Sequence, residues 1–313
     1  ILSAIVVALS GTILAWLFLA QGWRPIWRFS LDDIRPYLGF GGALVANNIV
    51  NEFNRNVDLL LGGRMFAVSA LGLYSMPRQI VFRIQGMVNP IITRVGFPLI
   101  AQVQDDISLV RSIYLKTMNM TSAINAPVYI GMAFFSPEIV LVLLGDKWLD
   151  SAGLLRILAI WGFLRSTGNP VGSLLLGTGR ADLSLKWNLW ILLVFPPVLL
   201  VGAKYGAMGL SWGLLACSLV LFVPGWFFLV RPICGAGLLE YSVAALRPPL
   251  VAMVGSTLSY YLTSGIVNAY AHLGCAILSS ALFYMILSFF TNRSLIEEML
   301  NLLFPNRMQQ LSD

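Results

Sequence analysis

The stretch AMGLSWGLLACSLVLFVPGWFFLV at residues 207–230 contains no charged side chain over its whole length. About 20 consecutive apolar residues are enough for an α-helix to cross the hydrocarbon core of a bilayer. Runs of this kind recur along the 313 residues, and no long polar stretch lies between them. The sequence therefore predicts an all-α membrane protein that crosses the bilayer several times.

The composition excludes two broad classes of protein. Hydrophobic residues make up 58% of the chain and charged residues 11%, against about 45–50% and about 25% in ordinary soluble domains. The net charge is +6, but the basic residues are spread singly along the chain and form no basic stripe. A soluble domain and a nucleic-acid-binding protein are therefore both excluded.

Apolar runs predict about nine spans, and the basic residues between them predict their orientation. The connectors at 21–36, 102–116, 178–187 and 231–247, together with the tail, carry eleven Lys and Arg residues, whereas the opposite connectors carry three. By the positive-inside rule, the first set and the C-terminus lie in the cytoplasm. The predicted spans are 1–20, 37–61, 77–101, 121–144, 152–176, 188–204, 207–230, 247–264 and 269–290.

The second span, GALVANNIVNEFNRNVDLLLGG at 42–63, has one polar face. At 100° per residue seven of its polar side chains fall within an arc of about 160°. Burying a charge at the centre of a lipid-facing helix costs at least about 2.5–3.5 kcal/mol, so this face should look into the protein or into a water-filled cavity. An interface between helices, with Arg55 paired to Glu52 and Asp58, is the alternative. The seven residues are Asn47, Asn48, Asn51, Glu52, Asn54, Arg55 and Asp58.

Two later spans carry further polar stripes. Helical spacing aligns Arg78, Gln85 and Asn89 in the third span, and Arg165 and Asn169 in the fifth. Arginines outnumber acidic residues within the predicted spans, which indicates a cationic cavity suited to a carboxylate or a diphosphate. The predicted substrate-binding residues are Asn47, Asn51, Arg55, Asp58, Arg78, Gln85, Asn89, Arg165 and Asn169.

No group of residues indicates catalysis, a cofactor or a bound metal. The sequence contains no HExxH, GxSxG or Walker motif, and its connectors are too short for a nucleotide-sugar domain. The single histidine and the three scattered cysteines lack the spacing of metal ligands. We therefore predict that the chain is not an enzyme and that it needs no cofactor.

Five stretches of the chain resemble a known family: NRNVDLLLGGRMF at 54–66, LGLYSMPRQI at 71–80, NPIITRVGFPLIAQVQDD at 89–106, LLGDKW at 143–148 and LLGTGR at 175–180. They are similar to the polysaccharide-transport (Wzx-type) branch of the MOP flippase superfamily, which includes colanic acid and teichuronic acid exporters. The resemblance implies two pseudo-symmetric helical bundles that carry undecaprenyl-diphosphate-linked oligosaccharides between leaflets by alternating access.

The resemblance also implies a division of the chain, read as the C-terminal part of a longer protein. Residues 1–20 would be the last span of the first bundle, 21–36 a cytoplasmic interfacial linker and 37–230 the second six-helix bundle. Residues 231–290 would add two spans, followed by a cytoplasmic tail at 291–313. The expected location is the bacterial inner membrane, and the expected partners are a lipid-linked anionic oligosaccharide, membrane lipids, a coupling H⁺ or Na⁺ and the polysaccharide polymerase machinery.

Two other functions compete with a flippase. A ligase or polymerase that acts on the same lipid-linked saccharide is expected to need a sizeable outer loop, and the outer connectors here span only about 5–15 residues. A drug or cation antiporter of the same superfamily would be expected to have a more acidic or apolar cavity. The surplus of arginines argues against that reading.

Overall fold

The computed structural model of the chain describes residue 6, residues 9–14 and residues 31–291, and every regular element in this part is a helix. Contacts divide the chain into two units, residues 1–42 and residues 43–313. In the first unit, residues 9–14 are helical and helix α1 begins at Leu31. All side-chain contacts given below belong to the second unit.

Eleven helices are described from residue 31 onward, with a 3₁₀ turn at Asp146–Ser151 between the fourth and the fifth. A π-helical turn at Trp226–Val230 lies inside the ninth. The helices are α1 Leu31–Met65, α2 Val68–Gln102, α3 Ile107–Phe134, α4 Ser136–Leu144, α5 Ala152–Thr167, α6 Pro170–Gly177, α7 Ala181–Ala203, α8 Gly206–Val220, α9 Phe222–Cys234, α10 Leu238–Thr263 and α11 Ala269–Thr291.

Local sequence explains where several of these helices begin and end. Asp106 caps α3, because its carboxylate accepts hydrogen bonds from the backbone amides of Ser108 and Leu109. Pro170 stands at the first position of α6, where a missing N–H leaves no hydrogen bond unmade. Gly145 ends α4 at φ 90°, a conformation that favours glycine.

Helices α3 and α5 form the centre of the second unit. Tyr129 on α3 hydrogen-bonds the Ser166 hydroxyl on α5 at 2.9 Å, and Leu155 and Leu158 on α5 are fully buried. The C-terminal helices α10 and α11 pack along α3: the Ser122 hydroxyl donates to the Ala245 carbonyl at 2.6 Å. The cavity described below therefore has a well-packed helical core on one side.

Helices α7 and α8 approach each other closely at two glycines. A Cβ atom added at Gly209 would lie 2.3 Å from the Gly202 carbonyl oxygen, and one added at Gly202 would lie 2.6 Å from the Gly209 oxygen. No real side chain tolerates such distances. Paired small residues that let two helix backbones approach are typical of membrane helix packing.

The predicted membrane class agrees with these helices, whereas the predicted count of nine spans stays a prediction. Within residues 31–291, two single helices are long and apolar enough to cross a bilayer, α7 and α11. Two bent pairs, α3 with α4 and α8 with α9, raise the number to four if each pair is one span. Neither the full count nor the two-bundle architecture follows from this.

Several predicted boundaries differ from the helices. The span 121–144 is interrupted at Phe135, where α3 and α4 meet at an angle of 85°. The span 152–176 is interrupted between Thr167 and Pro170. The predicted linker 21–36 overlaps α1, because hydropathy marks only the apolar part of a helix that begins earlier. The span 1–20, residues 21–30 of the linker and the tail from 292 lie wholly or mainly outside the described residues.

Candidate functional site

A polar cavity of about 480 Å³ lies among α1, α2, α5, α6 and α7, with α8, α9 and α10 each contributing to its wall. Its wall combines amide, hydroxyl and guanidinium groups with the rings of Trp161 and Trp187. Five of the nine predicted site residues line it: Asn47, Asn51, Gln85, Arg165 and Asn169. The other four, Arg55, Asp58, Arg78 and Asn89, do not line it.

The break between α5 and α6 supplies part of the polar cavity wall. Helix α5 ends at Thr167 and α6 begins at Pro170, so Gly168 and Asn169 face the cavity between two helix ends. Gly168 and Asn169 keep right-handed helical dihedrals and their amides donate to Leu164 and Ser166, so the break is a tightened turn before Pro170, which has no N–H to donate. The sequence contained a signal for this break, the Gly168-Asn169-Pro170 run, which the apolar pattern on both sides obscured.

Arg165 is the cation that this break presents to the cavity. Its Nε atom and the Nδ2 atom of Asn169 are buried and have no hydrogen-bond partner among the described residues. The Arg165 guanidinium carbon lies 5.6 Å from the ring centres of both Trp161 and Phe82. Aromatic faces stabilise the cation but leave its N–H groups free to bind an anionic or hydroxylated ligand.

Arg78 is placed differently, because a buried carboxylate neutralises it. Its Nε and Nη2 atoms lie 2.5 and 2.9 Å from the two carboxylate oxygens of Asp58, and Nη2 also donates to the Arg55 carbonyl at 2.5 Å. The Tyr74 hydroxyl donates to the same Asp58 carboxylate at 2.5 Å. We call Asp58, Tyr74 and Arg78 the buried ion cluster. It ties α1 to α2.

The sequence left open an interface between helices in which Arg55 pairs with both Glu52 and Asp58, and the structure contains one of these two pairs. Arg55 lies 3.5 Å from Glu52, as that alternative expected, but Asp58 pairs with Arg78 on the next helix. The ring of Phe82 lies against all three arginines, at 5.0 Å from Arg55, 4.4 Å from Arg78 and 5.6 Å from Arg165. This ring separates the buried ion cluster from the cavity.

A seam of amide groups joins α1 to α7 along one edge of the cavity. The Asn47 side-chain oxygen accepts hydrogen bonds from Ser184 at 3.1 Å and from Asn188 at 2.7 Å. Asn54 donates to the Asn188 backbone carbonyl at 2.9 Å. We call these residues the amide seam. By contrast, Asn51 is exposed to the cavity and has no side-chain hydrogen bond among the described residues.

Sequence reasoning missed Ser184 and Asn188, which line the cavity on α7. Their spacing of four residues places them on one helix face, a signal that could have been found. Asn89, which was predicted, is buried with its side-chain oxygen unpartnered, outside the cavity wall. No cluster of three or more His, Cys, Asp or Glu residues that could hold a metal occurs within the described ranges.

Comparison with known proteins gives consistent matches. A family model described as "Polysaccharide biosynthesis protein" matches residues 1–153. The lipopolysaccharide biosynthesis protein WzxC of Escherichia coli K12 is 32% identical over 252 residues, which are 80% of this chain and 51% of WzxC. The teichuronic acid biosynthesis protein TuaB of Bacillus subtilis 168 is 32% identical over 252 residues, 80% of this chain and 52% of TuaB.

A more distant match covers more of the chain. The succinoglycan biosynthesis transport protein ExoT of Rhizobium meliloti is 21% identical over 305 residues, which are 92% of this chain and 59% of ExoT. The chain spans about half the length of the first two curated relatives. No solved structure matches it.

Proposed function

Because this chain belongs to the Wzx-type polysaccharide-transport family, we propose that it carries a lipid-linked anionic oligosaccharide across the bacterial cytoplasmic membrane. The cargo is an exopolysaccharide or O-antigen repeat unit on undecaprenyl diphosphate, and it moves from the inner to the outer leaflet by alternating access. The observation that carries the proposal is Arg165, which has no ion-pair partner among the described residues and lies beside the helix break, inside a cavity lined by amides.

The neutral part of the cavity wall supports a saccharide ligand. Amide side chains both donate and accept hydrogen bonds, as sugar hydroxyl groups require, and Asn51 and Gln85 present such groups without competing side-chain partners among the described residues. Trp161 and Trp187 add flat apolar surface against which a sugar ring can lie. A volume of about 480 Å³ falls within the range of pockets that enclose small ligands.

The charge in the cavity supports an anionic group on the ligand. Arg165 is its one charged lining residue, among the residues that the structure describes. A guanidinium binds a carboxylate or a phosphate oxygen through two parallel N–H groups, which an ammonium group cannot do. We therefore assign Arg165 to an acidic sugar or to the diphosphate, and the amides to sugar hydroxyls.

Substitutions on α5 test this assignment. Arg165→Gln should lower polysaccharide export at least about tenfold, while Arg165→Lys should keep part of it, because Lys keeps the charge and loses the fork geometry. The readout is cell-surface polysaccharide in cells whose sole exporter of this kind is the full-length variant, compared at equal protein level.

Arg156→Gln is the matched control for these substitutions. Arg156 lies on the same helix, is exposed and donates to the Ala133 carbonyl at 3.2 Å, away from the cavity. Its replacement should leave export unchanged. Normal export by Arg165→Gln would overturn the assignment of Arg165, and equal losses at both positions would reveal a general effect of charge removal from α5.

Orientation in the membrane is tested separately. The distribution of basic residues places Arg180 in the cytoplasm and Lys147 outside. Both side chains are exposed. A cysteine introduced at Lys147 should react with an impermeant thiol reagent in intact cells, whereas one at Arg180 should react only after the cells are opened. The reverse pattern would contradict a cytoplasmic C-terminus.

A further inference from the structure

The cavity wall has an apolar part as well as the polar part described above. The apolar part lies on the later turns of α7 and on the segment from the end of α8 into α9, and its residues pack against the two main hydrophobic clusters. We call it the apolar wall. Its residues are Ile191, Phe195, Leu221, Phe222 and Leu229. A ligand that fills both parts of the cavity must itself be amphipathic.

The cargo of the proposed function is too large to be enclosed by this cavity. A volume of about 480 Å³ suits a small ligand, whereas the cargo is an oligosaccharide attached to a long isoprenoid chain. Transfer of that chain from lipid to water is unfavourable in proportion to its apolar area. If the proposed function holds, the chain therefore stays in contact with the bilayer while its head occupies the cavity. Such a cavity needs an opening toward lipid.

The wall between α7 and α9 is formed by apolar contacts. The Trp187 ring on α7 packs against Gly225 on α9, since a Cβ atom added at Gly225 would lie 3.6 Å from Cζ2 of that ring. No side-chain hydrogen bond or ion pair joins these two helices within the described ranges. The wall between α1 and α7, by contrast, is held by the amide seam. Separation of α7 from α9 therefore breaks no polar contact.

The same wall continues onto an apolar outer surface. The ring centre of Trp187, which lines the cavity, lies 5.4 Å from that of Trp190, which is 42% exposed. Val223 and Phe227 on α9 are exposed as well. Both α7 and the pair of α8 with α9 are long and apolar enough to cross a bilayer, so these exposed side chains are suited to contact with lipid. Apolar side chains thus lead from the cavity to the outside of the helices.

We propose that the boundary between α7 and α9, at Trp187 and Gly225, is the opening through which the isoprenoid chain of the cargo passes from the cavity into the bilayer. The apolar wall contacts the isoprene units nearest the head, and the polar groups hold the head itself. Gly225 leaves the α9 side of the opening without a side chain, so displacement of the Trp187 ring widens it. The π-helical turn at Trp226–Val230 follows directly, and such turns are frequent at functional sites.

Site-specific photocrosslinking tests the opening. The full-length protein carries p-benzoylphenylalanine at Phe222, in the apolar wall, and is reconstituted in phospholipid vesicles that contain radiolabelled undecaprenyl diphosphate without a saccharide. The control carries the same photoreactive group at Trp212, which is 56% exposed on α8 and lies outside the cavity wall, so it reports the bulk bilayer. Capture of the labelled lipid should be at least about tenfold greater at Phe222, as preferential binding requires.

A polar substitution on α7 tests the apolar wall independently. With the photoreactive group kept at Phe222, Ile191→Asn should lower capture of the labelled lipid at least about fivefold, because a polar amide replaces an apolar contact. Without that group, the same substitution should lower export. Leu193→Asn is the matched control: it places the same amide on α7 at a position that is 74% exposed and outside the cavity wall. It should change neither readout.

The opening and the proposed function can fail separately. Export that depends on Arg165, with equal capture at Phe222 and Trp212, would overturn the opening and leave the proposed function standing. Parallel vesicles carry the label on phosphatidylglycerol instead. Equal enrichment of phosphatidylglycerol at Phe222 would identify an ordinary phospholipid as the occupant and would also overturn the opening. Preferential capture of undecaprenyl diphosphate, in a protein whose export does not depend on Arg165, would support the opening and overturn the assignment of Arg165.

Discussion

Arg78 and Arg165 were predicted from the same kind of sequence pattern, yet the structure uses them in opposite ways. Arg78 is 5% exposed, and its hydrogen bonds among the described residues go to Asp58 and to the Arg55 carbonyl. Arg165 lines the cavity with its Nε atom unpartnered among the described residues. We therefore expect Arg165, and not Arg78, to contact a ligand, because Asp58 already neutralises Arg78.

The two arginines differ in which groups replace the water that each guanidinium loses on burial. In the buried ion cluster, the Asp58 carboxylate and the Arg55 carbonyl replace the water that Arg78 loses, and Tyr74 donates a further hydrogen bond to Asp58. Breaking such a pair leaves an uncompensated charge, which is more costly than removing both partners. At Arg165, water or ligand must supply the missing partners, so the cavity has to be wet or occupied. Four predictions test this contrast, from the largest expected effect to the smallest.

The largest effect is expected for Asp58→Ala. This change strands the Arg78 guanidinium in the protein interior and should lower the free energy of unfolding by about 3–5 kcal/mol. Glu52→Ala, which removes an acidic group from the same helix at a site where the carboxylate is 63% exposed, should have little effect. Thermal or denaturant unfolding in detergent measures both. Equal stability of the two variants would mean that the buried ion cluster is not structural.

A smaller effect is expected at the amide seam. Asn47→Ala removes an acceptor of two hydrogen bonds from α7, and at about 0.6 kcal/mol for each it should destabilise the chain by about 1 kcal/mol. Asn51→Ala should leave stability unchanged and lower export instead, since water replaces its amide. Parallel unfolding and export assays separate the two. Destabilisation by Asn51→Ala that matches the Asn47 variant would move Asn51 into the amide seam.

Arg165→Met should change the unfolding free energy by less than about 1 kcal/mol, because an apolar side chain of similar length replaces a cation that forms no ion pair with a carboxylate among the described residues. Arg78→Met is the matched comparison and should cost several times more, since it leaves Asp58 buried and unpaired. Both unfolding curves are measured at one pH and detergent concentration. A larger loss at Arg165 than at Arg78 would reverse the assignment of the two arginines.

The smallest effect is expected at the exposed pair of Arg111 and Glu240, which links α3 to α10. The Arg111 guanidinium, followed by the Gly237 amide, lowers the pKa of Glu240. A carboxylate with a lowered pKa stabilises the folded state at neutral pH, and this contribution is lost as the pH falls through that lowered value. Glu240→Gln should therefore lower Tm slightly at about pH 7 and not at about pH 3, and added salt should shrink the difference.

The sequence predicted the polar face of α1 well, because helical periodicity is a local property. It could not predict which arginine pairs with Asp58. Arg55 lies one turn away on the same helix, whereas Arg78 comes near Asp58 only because α1 packs against α2. Ser184 was missed because the sequence assigned 178–187 to a connector, whereas the structure places it in the first turns of α7.

Prolines in the sequence indicate both helix breaks, but the hydropathy pattern led to the prediction of continuous spans. Pro137 stands in the first turn of α4 and Pro170 at the start of α6, each at the position where proline begins a helix. A continuous apolar pattern nevertheless predicted one unbroken span in each case. Hydropathy measures transfer into the bilayer and carries no information on backbone direction, so the 85° bend at Phe135 was not predicted.

The contact between Gly202 and Gly209 has a consequence for how this chain can diverge. A Cβ atom at either position would overlap the other glycine's carbonyl group, so even alanine would force α7 and α8 apart. The exposed neighbours Leu200, Val201 and Met208 can exchange with other apolar residues at little cost. In a comparison of many homologous sequences, glycine should thus persist at these two sites while the adjacent positions drift, and a substitution at one should be accompanied by changes along the facing helix.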